Sequence, residues 1–114
     1  MKKGIVLILI AALVLFLVSC GSSAGTQDPK VAADTYLNSG NTFYNKADYD
    51  RAIQDYDQAI VLNPNLAEAY NNRGYVYYIK GDINKAVADF EAALKLDSNY
   101  TNARKNLARA KESK

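Results

Sequence analysis

Small and hydrophobic residues recur along residues 33–100 at spacings of three and four, which is the period of an α-helix. The pattern is duplicated: when residues 33–66 are shifted by 34 positions onto residues 67–100, about a dozen positions are identical. Each copy is too long for one helix and suits two helices with a tight turn between them. A fixed period of this size is typical of stacked repeat proteins, so the pattern predicts two tandem helical hairpins.

Turn and capping residues divide the pattern into five predicted helices. Asp28 followed by Pro29 is typical of a helix start, and Asn63-Pro64 is typical of a stop. The predicted helices run approximately over Pro29–Lys46, Tyr49–Leu62, Leu66–Lys80, Ile83–Leu96 and Tyr100–Lys111.

Side-chain caps are predicted at three of the later helix starts. Asp48 and Asp82 each precede the second helix of a pair, where a carboxylate can accept hydrogen bonds from the first free amides. The segment from Asn65 to Glu68 has the spacing of a capping box, with Asn in place of Ser or Thr. Ala47 precedes Asp48 where the second copy has Gly81, so this turn is expected to need a left-handed residue.

The duplicated residues resemble the tetratricopeptide repeat. The first copy reads Tyr36, Gly40, Phe43, Ala52, Tyr56, Ala59 and Pro64, and the second reads Tyr70, Gly74, Tyr77, Ala86, Phe90 and Ala93. The usual Leu before the glycine is replaced by Ser39 and Arg73, and Ser98 stands in place of the second proline. The resemblance covers 68 of the 114 residues. It implies an all-α fold, a right-handed superhelical stack of two helical hairpins plus a C-terminal capping helix.

The two mid-helix glycines are expected to allow close packing between paired helices. Glycine within a helix costs about 1 kcal/mol relative to alanine, and close packing must offset that cost. We therefore expect Gly40 and Gly74, with the small alanines, to lie against rings that fill the core. The predicted core rings are Tyr36, Phe43, Tyr56, Tyr70, Tyr77 and Phe90. We prefer this interpretation to the alternative that the same aromatic row binds a cofactor.

The first twenty residues resemble a bacterial lipoprotein signal. Lys2 and Lys3 precede an apolar run of 14 residues, which suits a signal-peptide core and is shorter than the roughly 20 residues of a spanning helix. The run ends in Leu17-Val18-Ser19-Cys20, which resembles a lipobox. The resemblance implies cleavage before Cys20 and a diacylglycerol on its sulfur; the alternative is an uncleaved anchor with an inert thiol.

The implied organisation is a signal peptide over residues 1–19, a lipidated cysteine and flexible tether over 20–28, and a repeat domain over 29–114. Within that domain the repeats are 33–66 and 67–100, and the capping helix is 101–114. The chain is expected to be exported and lipid-anchored to the bacterial envelope. Because residue 21 is Gly and not Asp, the outer membrane is expected in a didermal organism and otherwise the outer face of the cell membrane.

Composition argues against enzymatic and nucleic-acid functions. The sequence contains no histidine, one cysteine and no glycine-rich phosphate loop, so it offers no general base and no Cys/His metal site. The net charge of +2 comes from Lys2 and Lys3, and the rest of the chain is balanced. We expect no catalytic residue, no metal and no cofactor other than the covalent lipid on Cys20.

Carboxamides and phenols are predicted along the first helix of each pair, which lines the concave side of such a stack. Asn can donate and accept together, and Tyr adds contact area with one polar tip, so this face suits a peptide backbone. The alternative is a set of ordinary exposed polar residues. The predicted peptide-binding residues are Leu37, Asn38, Asn41, Tyr44, Asn45, Asn71, Asn72, Tyr75, Tyr78 and Ile79, and the row would continue with Asn102 and Asn106.

One subclass of the resembled family holds the C-terminal carboxylates of heat-shock chaperones with Lys, Arg and Asn side chains. Asn41 and Asn72 match two of those positions, but Leu37 replaces a lysine, and Glu68 and Asn102 replace further basic residues. The resemblance therefore does not imply chaperone binding.

The last helix is basic, with a net charge of about +4 over residues 101–114. It is expected to serve as a solubilising cap on the stack. The alternative is a basic tail directed toward anionic lipid or a partner.

Together these features predict a membrane-anchored adaptor that binds a peptide or helix of an envelope protein on its concave face. The alternative is a structural envelope lipoprotein that self-associates as a homodimer, since about three repeats are usually needed for stability.

Overall fold

The computed structural model describes residues 27–114, which form five α-helices and contain no β-strand. The helices are α1 (Pro29–Asn45), α2 (Tyr49–Leu62), α3 (Ala67–Lys80), α4 (Ile83–Leu96) and α5 (Thr101–Glu112). Every predicted boundary is within one residue of the observed one. The predicted signal peptide, Cys20 and the tether up to residue 26 lie outside the described residues.

The helices form two antiparallel hairpins in a stack, as predicted, and a fifth helix covers the stack. α1 packs along α2, α3 packs along α4, and α2 joins the hairpins by packing on α3. α5 packs on α4 and also touches α3, while α1 touches α3. α1, α3 and α5 therefore lie side by side on one face.

The core forms where the glycines let the helices approach, as predicted. A Cβ atom placed on Gly40 would lie 2.6 Å from Cε1 of Tyr56. A Cβ atom on Gly74 would lie 2.9 Å from Cε1 of Phe90 and 2.9 Å from Cβ of Asp89. Tyr56 and Phe90 are fully buried, so each glycine leaves the space that one ring fills.

The other predicted core rings are less enclosed than expected. Phe43, Tyr70 and Tyr77 are half-buried, and Tyr36 is 39% exposed. The prediction that Tyr36 is a core residue is wrong. α1 is the first helix of the described residues, so no preceding helix among them packs against its outer side.

The turns and caps follow the sequence only in part. Asp28 and Asp48 cap their helices, because their carboxylates accept from the amides of Lys30 at 3.0 Å and Arg51 at 3.4 Å. Asp82 makes no such bond. Ala47 and Gly81 both have positive φ angles, 59° and 88°, as the shared turn position predicts.

The capping box predicted at Asn65 is wrong. The N-cap of α3 is Leu66, which has no side chain able to accept a hydrogen bond. The turn before α3 is instead held by Asn63, whose Oδ1 accepts from the amide of Asn65 at 3.2 Å. The side chain that stabilises this turn is therefore that of Asn63, before Pro64, and not that of Asn65, after it.

Arg73, at the position usually occupied by Leu, joins three helices. Its Nε and Nη2 donate to the buried Asp89 of α4 at 2.9 and 2.7 Å, and its Nη1 donates to Asp57 of α2 at 2.8 Å. The hydrogen bonds from Arg73 to Asp89 raise the pKa of the guanidinium, while burial raises the pKa of the Asp89 carboxyl. In the first copy, Ser39 donates to Asp55 at the equivalent positions.

None of the helices within residues 27–114 is long and apolar enough to span a bilayer.

Candidate functional site

A groove of about 540 Å³ lies along the face formed by α1, α3 and α5. Its lining comprises carboxamides, phenols and two basic side chains. The lining residues are Asn41, Tyr44, Asn45, Tyr56, Asn71, Asn72, Tyr75, Asn102, Lys105, Asn106 and Arg109.

Hydrogen bonds between side chains form the floor of the groove where α1 meets α3. Oδ1 of Asn41 accepts twice, from the hydroxyl of Tyr56 at 2.7 Å and from Nδ2 of Asn72 at 2.9 Å. The bond from Tyr56 anchors Asn41 to α2, and the bond from Asn72 links α1 to α3. The two repeats are therefore joined by a side-chain hydrogen bond on the floor of the groove.

The same network continues from α3 to α5. Nδ2 of Asn106 donates to Oδ1 of Asn71 at 3.1 Å, and Nδ2 of Asn71 approaches Oδ1 of Asn72 at 3.3 Å and the hydroxyl of Tyr100 at 3.4 Å. Asn71 is only 6% exposed. These bonds fix the carboxamides in place before any ligand arrives, which lowers the entropy that binding would cost.

The network leaves the groove richer in donors than in acceptors. Within the network, Oδ1 of Asn41 accepts two hydrogen bonds, and Oδ1 of Asn71 and Oδ1 of Asn72 each accept one. Nδ2 of Asn41 donates to no other described residue, and Nδ2 of Asn72 uses one of its two hydrogens. The floor therefore presents N–H groups, which suit carbonyl or carboxylate oxygens.

The charged residues at the groove are basic. Lys105 and Arg109 line it from α5, and among the lining residues none is acidic. The two other cations of this helix are directed elsewhere: Nη2 of Arg104 donates to the carbonyl of Ser98 at 2.6 Å, and Nζ of Lys111 lies 3.8 Å from Glu91. The groove therefore attracts anions near α5.

The α1 side of the groove is aromatic. The rings of Tyr44 and Tyr75 meet edge to face, with centroids 6.0 Å apart. Tyr44 also contacts Tyr49, and Tyr75 stacks on Tyr78. Burial, with the neighbouring Tyr75, raises the pKa of Tyr44. This end of the groove offers ring surface with polar hydroxyl tips.

The structure brings together most of the predicted face. Six of the ten predicted residues line the groove, together with the two asparagines expected to extend the row; the six are Asn41, Tyr44, Asn45, Asn71, Asn72 and Tyr75. Asn38, Tyr78 and Ile79 lie outside the lining. The hydroxyl of Tyr78 is 3.3 Å from Oγ of Ser113, which directs it toward the end of the chain.

The placement of Leu37 on the exposed face is wrong. Leu37 is 6% exposed and belongs to the core cluster that contains Ala69 and Val76. Its counterpart in the second copy, Asn71, is equally buried and carries the central hydrogen bonds of the groove. This position therefore faces inward in both copies.

Sequence reasoning assigned three of the groove residues to other roles. Tyr56 was expected only in the core, but its hydroxyl reaches Asn41. Lys105 and Arg109 were expected in a solubilising cap or, as the alternative, in a basic tail directed toward anionic lipid or a partner. The available signal was the spacing of Asn102, Lys105, Asn106 and Arg109, which places all four on one side of α5.

Among residues 27–114, no group of three carboxylate, cysteine or histidine side chains is close enough to hold a metal ion. The side chains that line the groove offer hydrogen-bonding groups, positive charge and ring surface.

Two family models match the chain. Residues 40–81 match the model described as TPR repeat, and residues 67–100 match the model described as tetratricopeptide repeat. No curated protein matches the sequence at a significant level.

Several solved structures have the same fold. The TPR domain of Arabidopsis OM64 superposes with a TM-score of 0.73 and 26% identity, over 75% of this chain and 70% of that one. The TPR2B domain of yeast Sti1, in a pHsp70 complex, gives 0.71 and 25%, over 73% and 66%. The second TPR domain of human RPAP3, in complex with the HSP70 peptide SGPTIEEVD, gives 0.67 and 29%, over 69% and 66%.

Proposed function

We propose that this chain, which is built from tetratricopeptide repeats, binds an acidic, extended segment of a partner protein in the groove between α1, α3 and α5. The observation that carries the proposal is the composition of the groove. Fixed amide donors form its floor, Lys105 and Arg109 line one side, and none of its lining residues is acidic.

The donors on the floor suit the backbone of an extended peptide. Such a segment has unpaired carbonyl oxygens, and the free N–H groups of Asn41 and Asn72 are placed to meet them. Because backbone carbonyls are common to all sequences, these bonds supply affinity and little selectivity. Lys105 and Arg109 supply the selectivity, since a carboxylate on the segment is attracted to them.

Similar structures support this class of ligand. The yeast domain is in a pHsp70 complex and the human domain is bound to an HSP70 peptide, and three of the last four residues of that peptide, Glu-Glu-Val-Asp, are acidic. We propose the acidic character for this chain and not the chaperone identity. Leu37, which replaces a lysine of the chaperone-binding subclass, is buried in the core and has no N–H group to donate to a carboxylate.

We further propose that the domain is held at the bacterial envelope by lipid on Cys20. The support is the sequence Leu17-Val18-Ser19-Cys20 after a 14-residue apolar run. Two or three acyl chains would hold the protein stably, since each buried methylene contributes about 0.8 kcal/mol of membrane affinity. The chain would then act as an adaptor that collects a partner at the membrane surface.

The groove is tested by selection from a displayed library of random nonapeptides, followed by affinity measurements with the selected peptides. We expect enrichment of Asp and Glu, and at least a tenfold loss of affinity in a Lys105→Ala/Arg109→Ala variant, equivalent to about 1.4 kcal/mol. The matched control is Arg104→Ala/Lys111→Ala, which removes the same charge from the same helix away from the groove. Equal losses in both variants would contradict the groove assignment.

A further inference from the structure

The two ends of the helical stack differ in chemistry. At one end α1, α3 and α5 begin and α2 and α4 finish; we call this the entry end, because the chain enters the domain there at Pro29. At the opposite end lie the tight turns at residues 46–48 and 81–82 and the C-terminus. We call this the turn end.

Exposed aliphatic side chains collect at the entry end. Val61, in the last turn of α2, is 72% exposed, Val31 in the first turn of α1 is 53% exposed, and Leu96 at the end of α4 is 41% exposed. The turn end has one exposed large hydrophobic residue within the described chain, Ile79 at 40%. Both ends carry charged groups, and at the turn end these include the ion pair of Lys80 with Asp50.

The repeat itself argues that the apolar residue at position 61 is not required by the fold. Val61 occupies the position that Lys95 occupies in the second copy, and the two helices have the same length and end in the same way. A solvent-facing position accepts lysine in one copy and carries valine in the other. The packing of the hairpins therefore does not require an apolar residue at position 61.

The position of the tether identifies what lies next to this end. Eight residues, Gly21 to Asp28, separate Cys20 from Pro29. Fully extended they reach about 28 Å, so lipid on Cys20 would hold the entry end within that distance of the bilayer, whereas the turn end, roughly 20 Å away along a 14-residue helix, could lie farther from it. The end with the exposed aliphatic residues is thus the end that the lipid holds near the membrane.

We propose that the entry end lies against the bilayer, with Val31, Val61 and Leu96 in contact with the lipid interface; this rests on the proposed lipidation of Cys20. Charge does not drive the contact, because the cations near this end, Lys30, Lys95 and Arg104, are offset by the carboxylates of Asp28, Asp34, Glu68 and Asp97. The contact is apolar. It turns the long axis of the helices toward the membrane normal and leaves the groove open to the side.

The test uses the full chain, exported, purified with its lipid and reconstituted into phosphatidylcholine vesicles. Single cysteines replace Val61, Leu96 or, as the matched control, Ile79, and each is labelled with an environment-sensitive fluorophore. We expect blue-shifted emission and loss of fluorescence to lipid-attached quenchers for labels at 61 and 96, and neither effect for a label at 79. The result at 61 should not change between low and high salt.

Three failures are distinguishable. Equal responses at 61 and 79, in a chain whose lipid on Cys20 is verified by mass spectrometry, would overturn the membrane-facing end and leave the anchor intact. An unmodified Cys20 with no vesicle association would overturn both the anchor and this inference. A blue shift at 61 that is unaffected by lipid-attached quenchers, with a dimer in cross-linking, would assign the entry end to a second copy and overturn the lipid contact.

Discussion

Arg73 holds Asp89 through two parallel hydrogen bonds, from Nε at 2.9 Å and from Nη2 at 2.7 Å, with the carboxylate almost completely buried. The third bond, from Nη1 to Asp57, reaches the preceding hairpin. A position that usually contributes apolar packing thus carries an ion pair that crosses from one repeat to the next. The buried carboxylate of Asp89 is neutralised by one side chain, that of Arg73.

Replacing Arg73 with leucine should destabilise the protein by about 3–5 kcal/mol, because Asp89 would remain buried without its counterion. Asp57 should contribute little to the loss, since 46% of its side chain is exposed. Urea unfolding at neutral pH measures the change. The double variant Arg73→Leu/Asp89→Ala should recover at least half of the loss, because it removes the stranded charge. If the double variant recovers none of the lost stability, the loss in Arg73→Leu does not come from the unpaired charge of Asp89.

Alanine at Gly74 should destabilise the domain although alanine is the better helix former by about 1 kcal/mol. The new methyl would lie 2.9 Å from both Cβ of Asp89 and Cε1 of Phe90, and one of these groups must move. Overpacking of this kind costs about 1–3 kcal/mol, so we expect a net loss in thermal unfolding. The control is Ala88, an exposed residue of α4, where replacement by glycine should cost only the helix propensity.

The helical framework could be predicted from the sequence because its causes are local or repeated. Proline, the tight turns and the 34-residue duplication fix where helices begin and end, and Gly40 and Gly74 mark where rings pack. The groove was harder to predict. Whether Leu37 faces inward and whether the hydroxyl of Tyr56 reaches Asn41 depend on how three helices meet, which a periodic pattern in one helix does not specify.

The basic residues of α5 show the same limit. Their number predicts a soluble cap, and only the packed structure separates Lys105 and Arg109, which line the groove, from Arg104 and Lys111, which turn back to Ser98 and Glu91. Helical angle distinguishes these pairs only after the buried side of α5 is known. Ala103 and Ala110, both fully buried, define that side.

Stability should fall as the pH rises above 10. Burial raises the pKa of Tyr56 above its ordinary value of 10.0, so the folded protein keeps a proton that the unfolded chain releases. Below pH 10 the phenol is protonated in both states and its contribution is complete; the contribution is lost as the pH rises toward the folded-state pKa. Urea unfolding at several pH values between about 8 and 11, a range that brackets the ordinary tyrosine pKa of 10.0, measures how the free energy of unfolding changes with pH.

The variant Tyr56→Phe isolates this effect. Phe90 occupies the equivalent place in the second repeat, so the ring site accepts phenylalanine. The variant should lose stability more gradually with alkaline pH than the wild type. It should keep some dependence, because burial also raises the pKa values of Tyr77 and Tyr100. Identical slopes for variant and wild type would contradict a buried, neutral phenol at position 56.

Replacing Asn71 tests whether a buried polar residue of the groove lowers the stability of the domain while contributing to ligand affinity. The equivalent residue in the first copy is Leu37, a core residue, so a leucine at 71 has a buried site to occupy. Asn71→Leu should therefore leave the free energy of unfolding unchanged or raise it by about 1 kcal/mol, the typical gain from removing polarity at a functional site. The same change removes the hydrogen bonds that hold Asn106 and Asn72 in place, so affinity for a selected peptide should fall about tenfold, or 1.4 kcal/mol.

The control is Asn38→Leu, on the exposed side of α1, which should change neither the free energy of unfolding nor the peptide affinity appreciably. A variant at 71 that binds normally would show that the carboxamide network is structural only, and one that unfolds readily would show that the asparagine is required by the core.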